Sequence, residues 1–288
     1  MGAGATGPMN KQTFLKLGRV SNLPTVWSNA IAGAVLAGVA PLGEILIVGL
    51  VLSLFYTGGM WLNDAFDAEI DARERSNRPI PMGDVKVSTV FAGGIAMLAV
   101  AVVLSFTMGA AAGAVGIALA VAVVLYDWLH KRTVLSPVIM GTTRFFCYLL
   151  AAAAVAQITG PVLLGGLGLL AYVIGLTYAA KQEAYDRLDR AWPLAVLALP
   201  VLYGLSQTMD SVLGLLIWAT LVIVALIALR LLFRRNRGDV PKAVVTLIAG
   251  ISLYDAVLIA GAGYPLLALV AAAAFALTLL LQRAVSGT

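Results

Sequence analysis

Three aspartates, Asp64, Asp67 and Asp71, stand at intervals of three and four in Trp61-Leu62-Asn63-Asp64-Ala65-Phe66-Asp67-Ala68-Glu69-Ile70-Asp71. On a continuous helix, at ~100° per residue, Asp67 lies ~60° and Asp71 ~20° around the axis from Asp64. All three carboxylates then share a face, where they repel one another unless a cation meets them. Oxygen ligands without His or Cys in the row suit a hard cation such as Mg²⁺, which takes one or two carboxylates and keeps other positions for water and substrate phosphate. A second row, Tyr178-Ala179-Ala180-Lys181-Gln182-Glu183-Ala184-Tyr185-Asp186-Arg187-Leu188-Asp189-Arg190, sets Gln182 four residues before Asp186 and places Glu183, Asp186 and Asp189 at spacing three. Each row has a plainer alternative. The first also reads as a solvated helix end, and the second, with its alternating signs, as a salt-bridged surface helix.

Cations accompany both rows. Arg78, in Ser76-Asn77-Arg78-Pro79-Ile80-Pro81, and Lys131, Arg144 and Lys181 are the candidates to cancel phosphate charge. Tyr126, Tyr148 and Tyr178 offer ring faces that steady a carbocation, although aromatic residues near membrane interfaces need no such role. His130, the sole histidine, reads as an interfacial residue or a diphosphate contact. Asp255 lies inside an apolar run, where an ionised carboxylate costs roughly 2.5–3.5 kcal/mol on insertion scales. It therefore needs a role in substrate contact or acceptor orientation, or else a structural hydrogen bond to a neighbouring helix.

The elements that position these groups must be membrane helices. Of 288 residues 61% are hydrophobic and 11% charged, and mean hydropathy is +0.97. That composition excludes a soluble domain, a disordered chain, a nucleic-acid reader and a disulfide scaffold, the net charge of +5 notwithstanding. Apolar runs fall near 23–40, 44–62, 88–107, 109–128, 137–157, 162–180, 192–207, 211–233, 241–261 and 264–282, and predict an all-α polytopic bundle with ten candidate spans. The last two are separated only by Gly261 to Gly263 and read either as two spans or as one broken helix. Lys and Arg fall before the first run and then after alternate runs, so both termini and both acidic rows are expected on the cytoplasmic side. The segment from Ala65 to Val87 is the one long loop, a length usually reserved for function. Residues 1–14 read as a flexible leader and 15–288 as a single integral-membrane domain.

Taken together, these residues resemble the UbiA superfamily of intramembrane prenyltransferases. The family signature NDxxDxxxD is met by Asn63, Asp64, Asp67 and Asp71, and its R-P-[IL]-x-x-G element by Arg78-Pro79-Ile80-Pro81-Met82-Gly83. Arg19 with Pro24, Tyr126 with Lys131, and Gly141 with Arg144 are similar to further family features. The resemblance covers about residues 15–260 and implies a nine-helix core, with the last run as a tenth span. At the second signature the chain departs from the family's DxxxD, presenting Gln182 and Asp186 with Glu183 one step along. That departure, with Tyr126 to Lys131 and Ser136 to Gly141, looks like the EboC-type subgroup.

The resemblance implies a Mg²⁺-dependent transferase acting on a polyprenyl diphosphate donor and a small nucleophilic acceptor of unknown identity. The metal would be held by Asp64, Asp67 and Asp71 on one side and by Gln182, Glu183 and Asp186 on the other. Asp64, Asp67, Asp71, Asp186, Arg78 and Lys131 would carry catalysis. Asn63, Arg19, Tyr126, Arg144, Tyr178, Lys181, Gln182, Glu183 and Asp255 would bind substrate. A bacterial inner membrane is the expected setting, with no nucleic-acid partner. An ion-coupled secondary transporter is the alternative, although transporter sites lie near the bilayer midplane and these acids lie toward one face. A prenyl-lipid-binding relative with weak catalysis is another, left open by Gln182.

Overall fold

The computed structural model describes residues 10–183 and 192–287. Within them every regular element is helical: α1 Lys11–Leu17, α2 Leu23–Leu36, α3 Leu42–Phe66, α4 Ala68–Glu74, α5 Val87–Thr107, α6 Ala110–Leu129, α7 Ser136–Val155, α8 Gly160–Glu183, α9 Ala198–Thr208, α10 Val212–Arg234, α11 Asp239–Gly261 and α12 Pro265–Leu281. Short 3-10 turns precede α2 and α9, at Val20–Asn22 and Trp192–Leu197. Helix begins at Lys11, so residues 11–14 are helical, and Phe14 packs edge-on against Trp61 with ring centroids 5.6 Å apart.

Each of the ten apolar runs forms a helix, and among the described residues seven helices are long and apolar enough to cross a membrane: α3, α5, α6, α7, α8, α10 and α11. Proline and glycine shorten the other three. Pro24 opens α2, and Gly38 at φ 89° with Pro41 separates its end from α3. A 3-10 turn takes up the beginning of the α9 run. Gly263 at φ 86° followed by Pro265 turns the chain from α11 into α12, so the last two runs are separate helices. The bundle is thus multi-pass, with seven candidate spans among the described residues and shorter helices in the other three runs.

Helix α11 is the hub, buried continuously from Ala249 to Ala260. Helices α2, α8, α9, α10 and α12 pack around it, and close approach between neighbouring helices is set by small residues. A Cβ on Gly33 of α2 would stand 2.7 Å from the backbone oxygen of Tyr148 on α7, so glycine is what lets these two backbones meet. Outward faces of α5, α10 and α12 carry exposed Val103, Leu216 and Leu266. Apolar residues on the outside and polar ones within are what a lipid solvent selects.

Candidate active site

A single break between two helices carries the first acidic row. Helix α3 closes at Phe66, Asp67 occupies the turn with φ −87° and ψ −2°, and α4 resumes at Ala68. The Asp67 amide still donates to the Asn63 carbonyl at 3.0 Å, and that of Asp71 to the Asp67 carbonyl at 2.8 Å. The row therefore keeps near-helical spacing across the break. Asp64, Asp67 and Asp71 are all buried.

Their charges are met from outside α3 by two arginines, a lysine and a histidine. Arg78, in the loop after α4, sets one guanidinium nitrogen 2.7 Å from Asp64 Oδ1 and 3.1 Å from Asp71 Oδ2. Arg19 reaches Asp64 Oδ1 at 3.0 Å and donates to Asn63 Oδ1 at 3.2 Å. It does so from a left-handed backbone, φ 40°, a conformation that costs a non-glycine residue on the order of 1–3 kcal/mol and is often found at functional sites. Lys131 Nζ and His130 Nε2, beyond the end of α6, lie 3.0 and 3.3 Å from Asp67 Oδ2.

These pairings divide the row electrically. Burial pushes the Asp67 carboxyl up, but His130 and Lys131 outweigh it and hold the group below the usual carboxylate range. Burial leaves Asp71 above that range despite Arg78. Arg78 is itself lowered, by burial and by the neighbouring Arg19, against the pull of Asp64 and Asp71. A site in which carboxylates and guanidinium groups crowd one another has partners to exchange when an anion or a cation enters.

Of the row, Asp67 lines a cavity of about 620 Å³, with Asn63 beside it, within the range that takes small-molecule ligands. Its mouth is charged, lined by Arg19, Asp67, Arg78, Lys131 and Lys181, whereas Val26, Leu52, Phe55, Leu119 and Val173 form an apolar interior. Tyr126 lines it too, stacked on His130 with centroids 5.1 Å apart. Lys181 donates from Nζ to the Thr133 carbonyl at 3.2 Å. Tyr178 stands on α8, half-buried.

Not every predicted residue converges here. Arg144 lines the cavity, yet its guanidinium turns to α2, donating to Asn29 Oδ1 at 2.7 Å and Thr25 Oγ1 at 3.2 Å, and lies 5.6 Å over the Tyr56 ring. Asp255 sits in the core of α11, fully buried. It accepts from Tyr148 Oη at 2.6 Å and Asn29 Nδ2 at 2.8 Å, and also from Ser28 Oγ. The structure thus gives Tyr148 to Asp255. Gln182 and Glu183 end α8, but their side chains, and all of Asp186, lie outside the described residues.

Two participants were not singled out from sequence, Asp127 and Asn22. Asp127, near the end of α6, accepts from Asn63 Nδ2 at 3.1 Å; an acid inside an apolar run was its available signal. Asn22 donates to Tyr56 Oη at 3.1 Å and to the Gly287 carbonyl at 2.9 Å, and accepts from Gln282 Nε2 at 2.6 Å. The segment after α12 thereby reaches the cavity wall, which Gly287 helps to line.

Mg²⁺ can be tested against these residues. Among the described residues no three His, Cys, Asp or Glu side chains converge into a cage, because the acids are drawn to Arg and Lys. The donors are nevertheless oxygen, buried and grouped at one end of the cavity, and Asp127 Oδ2 is a buried atom without a partner. That chemistry fits a hard cation.

Comparisons with known proteins agree with the fold. The UbiA prenyltransferase family matches residues 22–254, leaving α12 outside. A digeranylgeranylglyceryl phosphate synthase of Methanopyrus kandleri is 28% identical over 193 residues, 67% of this chain and 70% of that protein. Its namesake in Metallosphaera sedula is 33% identical over 122 residues, 42% of this chain and 43% of that protein. An apo UbiA homologue from Aeropyrum pernix superposes with TM-score 0.66 at 17% identity, covering 82% of this chain and 96% of that one. A UbiA homologue from Archaeoglobus fulgidus, bound to GPP and Mg²⁺, gives 0.53 at 14%, covering 92% and 98%. All four proteins are archaeal, which lends no support to the expected bacterial setting.

Proposed function

The chain belongs to the UbiA prenyltransferase family, and from that premise we propose that it transfers a polyprenyl group from a polyprenyl diphosphate to a small nucleophilic acceptor inside the membrane. The observation that carries this reading is one cavity with a charged mouth and an apolar interior. A diphosphate matches the mouth and a prenyl chain the interior.

Asp64, Asp67 and Asp71 would hold Mg²⁺, with Gln182, Glu183 and Asp186 as the opposite wall. When bound, the metal neutralises charge that builds on the departing diphosphate. Arg78 and Lys131, now paired with the acids, are placed to exchange a carboxylate for a phosphate oxygen, and Arg19 and Lys181 stand beside them. Stabilising the leaving group in this way lowers the barrier to cleaving the allylic C–O bond, whose electron pair leaves with the diphosphate. Phe55, Leu52 and Leu119 exclude water that would capture the allylic cation. An acceptor lone pair then forms the new bond and its proton is lost. Arg144, turned to α2 away from the acidic row, suits orientation of the acceptor better than diphosphate binding.

Residues 15–288 act as one membrane domain, with the mouth on the cytoplasmic side as the distribution of Lys and Arg supports. Gln182 and the stretch from Tyr126 to Lys131 are what support an EboC-type placement; the relatives compared add nothing to it. Their shared name makes geranylgeranyl diphosphate the first donor to assay and a glyceryl phosphate lipid the first acceptor.

Purified protein in lipid nanodiscs, given donor, acceptor and Mg²⁺, should release diphosphate and form a prenylated product. Vesicle uptake of solute without prenyl transfer would replace this reading with a transporter. Diphosphate binding without turnover, repaired by Gln182→Asp, would replace it with a lipid-binding relative.

A further inference from the structure

At the mouth, Arg78 holds Asp64 and Asp71, Arg19 also reaches Asp64, and Lys131 holds Asp67. Among the described residues Asp127 alone of these neighbouring acids lacks a cation. It is 3% exposed, on the wall of the cavity. One of its oxygens accepts from Asn63 Nδ2 at 3.1 Å, and the other, Oδ2, has no hydrogen-bond partner among the described residues. A buried carboxylate oxygen left this way is more costly than a neutral polar atom in the same position.

Two contacts tie Asp127 to the acidic row. Asn63 adjoins Asp64 in the chain, and its own carbonyl oxygen accepts from Arg19 at 3.2 Å. On the other side the His130 ring links Asp127 to Asp67: Nδ1 lies 3.1 Å from the Asp127 backbone oxygen and Nε2 3.3 Å from Asp67 Oδ2. Asp127 is therefore connected to both the Asp64 and the Asp67 parts of the row. A positive charge drawn to its free oxygen would be shared with the row and would not form a separate site.

We propose that Asp127 is a further acidic residue of the divalent-cation site, meeting the cation directly or through one of its waters. Its other oxygen fixes the Asn63 amide with the carbonyl turned toward Arg19. The inference rests on the reading of this mouth as a Mg²⁺ and diphosphate site. It adds a residue that the NDxxDxxxD spacing does not contain, contributed by a different helix.

The test titrates Mn²⁺ into the full chain in nanodiscs with inorganic diphosphate present, following free Mn²⁺ by electron paramagnetic resonance. Wild type, Asp127→Asn and Asp127→Ala are compared, and each is melted with and without Mg²⁺. Asp127→Asn is expected to weaken Mn²⁺ binding about 10- to 100-fold, the usual effect of losing a supporting group at a metal site. Its cation-free melting temperature should stay close to that of wild type, because the amide keeps the shape of the side chain and an oxygen for Asn63, and the rise produced by Mg²⁺ should shrink. If Asp127→Asn keeps wild-type affinity while Asp127→Ala loses it, the carboxylate charge is irrelevant and the proposal is overturned. A fall in cation-free melting temperature of Asp127→Asn with unchanged affinity overturns it as well, by making Asp127 a structural prop. A wild type that binds no divalent cation overturns both this inference and the reading beneath it, whereas equal binding by wild type and both variants overturns this inference alone.

Discussion

Two groups of buried acids occupy this bundle, and their partners differ in kind. Asp64, Asp67 and Asp71 at the mouth are held by Arg19, Arg78, His130 and Lys131, long side chains from separate loops and helix ends. Asp255 in the core is held by Ser28, Asn29 and Tyr148, neutral donors fixed on α2 and α7. Long cationic side chains can change partner when a ligand enters, whereas short neutral donors on packed helices cannot do so without moving the helices. The first arrangement suits a site that exchanges charge, and the second joins α2, α7 and α11. Arg144 bridges the two by gripping Asn29 from the cavity side.

Substitution at the two groups should separate activity from stability. The largest effect expected is at the mouth. Asp64→Ala or Asp67→Ala should lower prenyl transfer about 10³-fold, comparable with losing a principal electrostatic group at a reacting centre, and Asp67→Ala, whose partner Lys131 is partly exposed, should leave the melting temperature little changed. Steady-state diphosphate release and thermal unfolding on the same samples check this. Asp255→Ala should do the reverse, destabilising the fold by roughly 2–4 kcal/mol as three buried donors lose their acceptor. The folded fraction should keep most of its specific activity, and equal loss of activity at both sites would erase the distinction.

Smaller changes probe how rigid the core group is. Gly33→Ala inserts a methyl 2.7 Å from the Tyr148 backbone oxygen, and overpacking of this kind costs typically about 1–3 kcal/mol. It should lower the melting temperature in the same direction as Asp255→Ala. At the mouth, Arg78→Lys keeps the charge but loses the guanidinium that touches Asp64 and Asp71 together. A decrease of about 10-fold in kcat/KM is expected, since lysine is a point charge without the planar fork.

Much of this was visible in the sequence, for identifiable reasons. Long apolar runs announce helices because lipid leaves backbone groups no other partners, and all ten runs fold so. Their lengths were less visible, since Pro24, Pro265 and the 3-10 turn before α9 take residues that hydropathy alone counts as span. The shared face of Asp64, Asp67 and Asp71 followed from spacing, and it survives the break at Asp67 because the backbone stays near-helical. The partners of Asp255 could not be read, because the meeting of Ser28, Asn29 and Tyr148 with it is set by packing between α2, α7 and α11. Asp127 has the same cause. Nothing in the order of residues joins α6 to Asn63, sixty-four positions earlier.

The most direct test measures diphosphate release by the wild-type chain in nanodiscs against free Mg²⁺ concentration, with geranylgeranyl diphosphate as donor. Release should rise from near zero in chelator to a plateau as Mg²⁺ saturates. Asp67→Asn should show no plateau at these concentrations, while Asp255→Asn should retain the wild-type curve per folded molecule. Release that is independent of Mg²⁺, or a curve unchanged by Asp67→Asn, would contradict the assignment of the acidic mouth as the site of cation-dependent prenyl transfer.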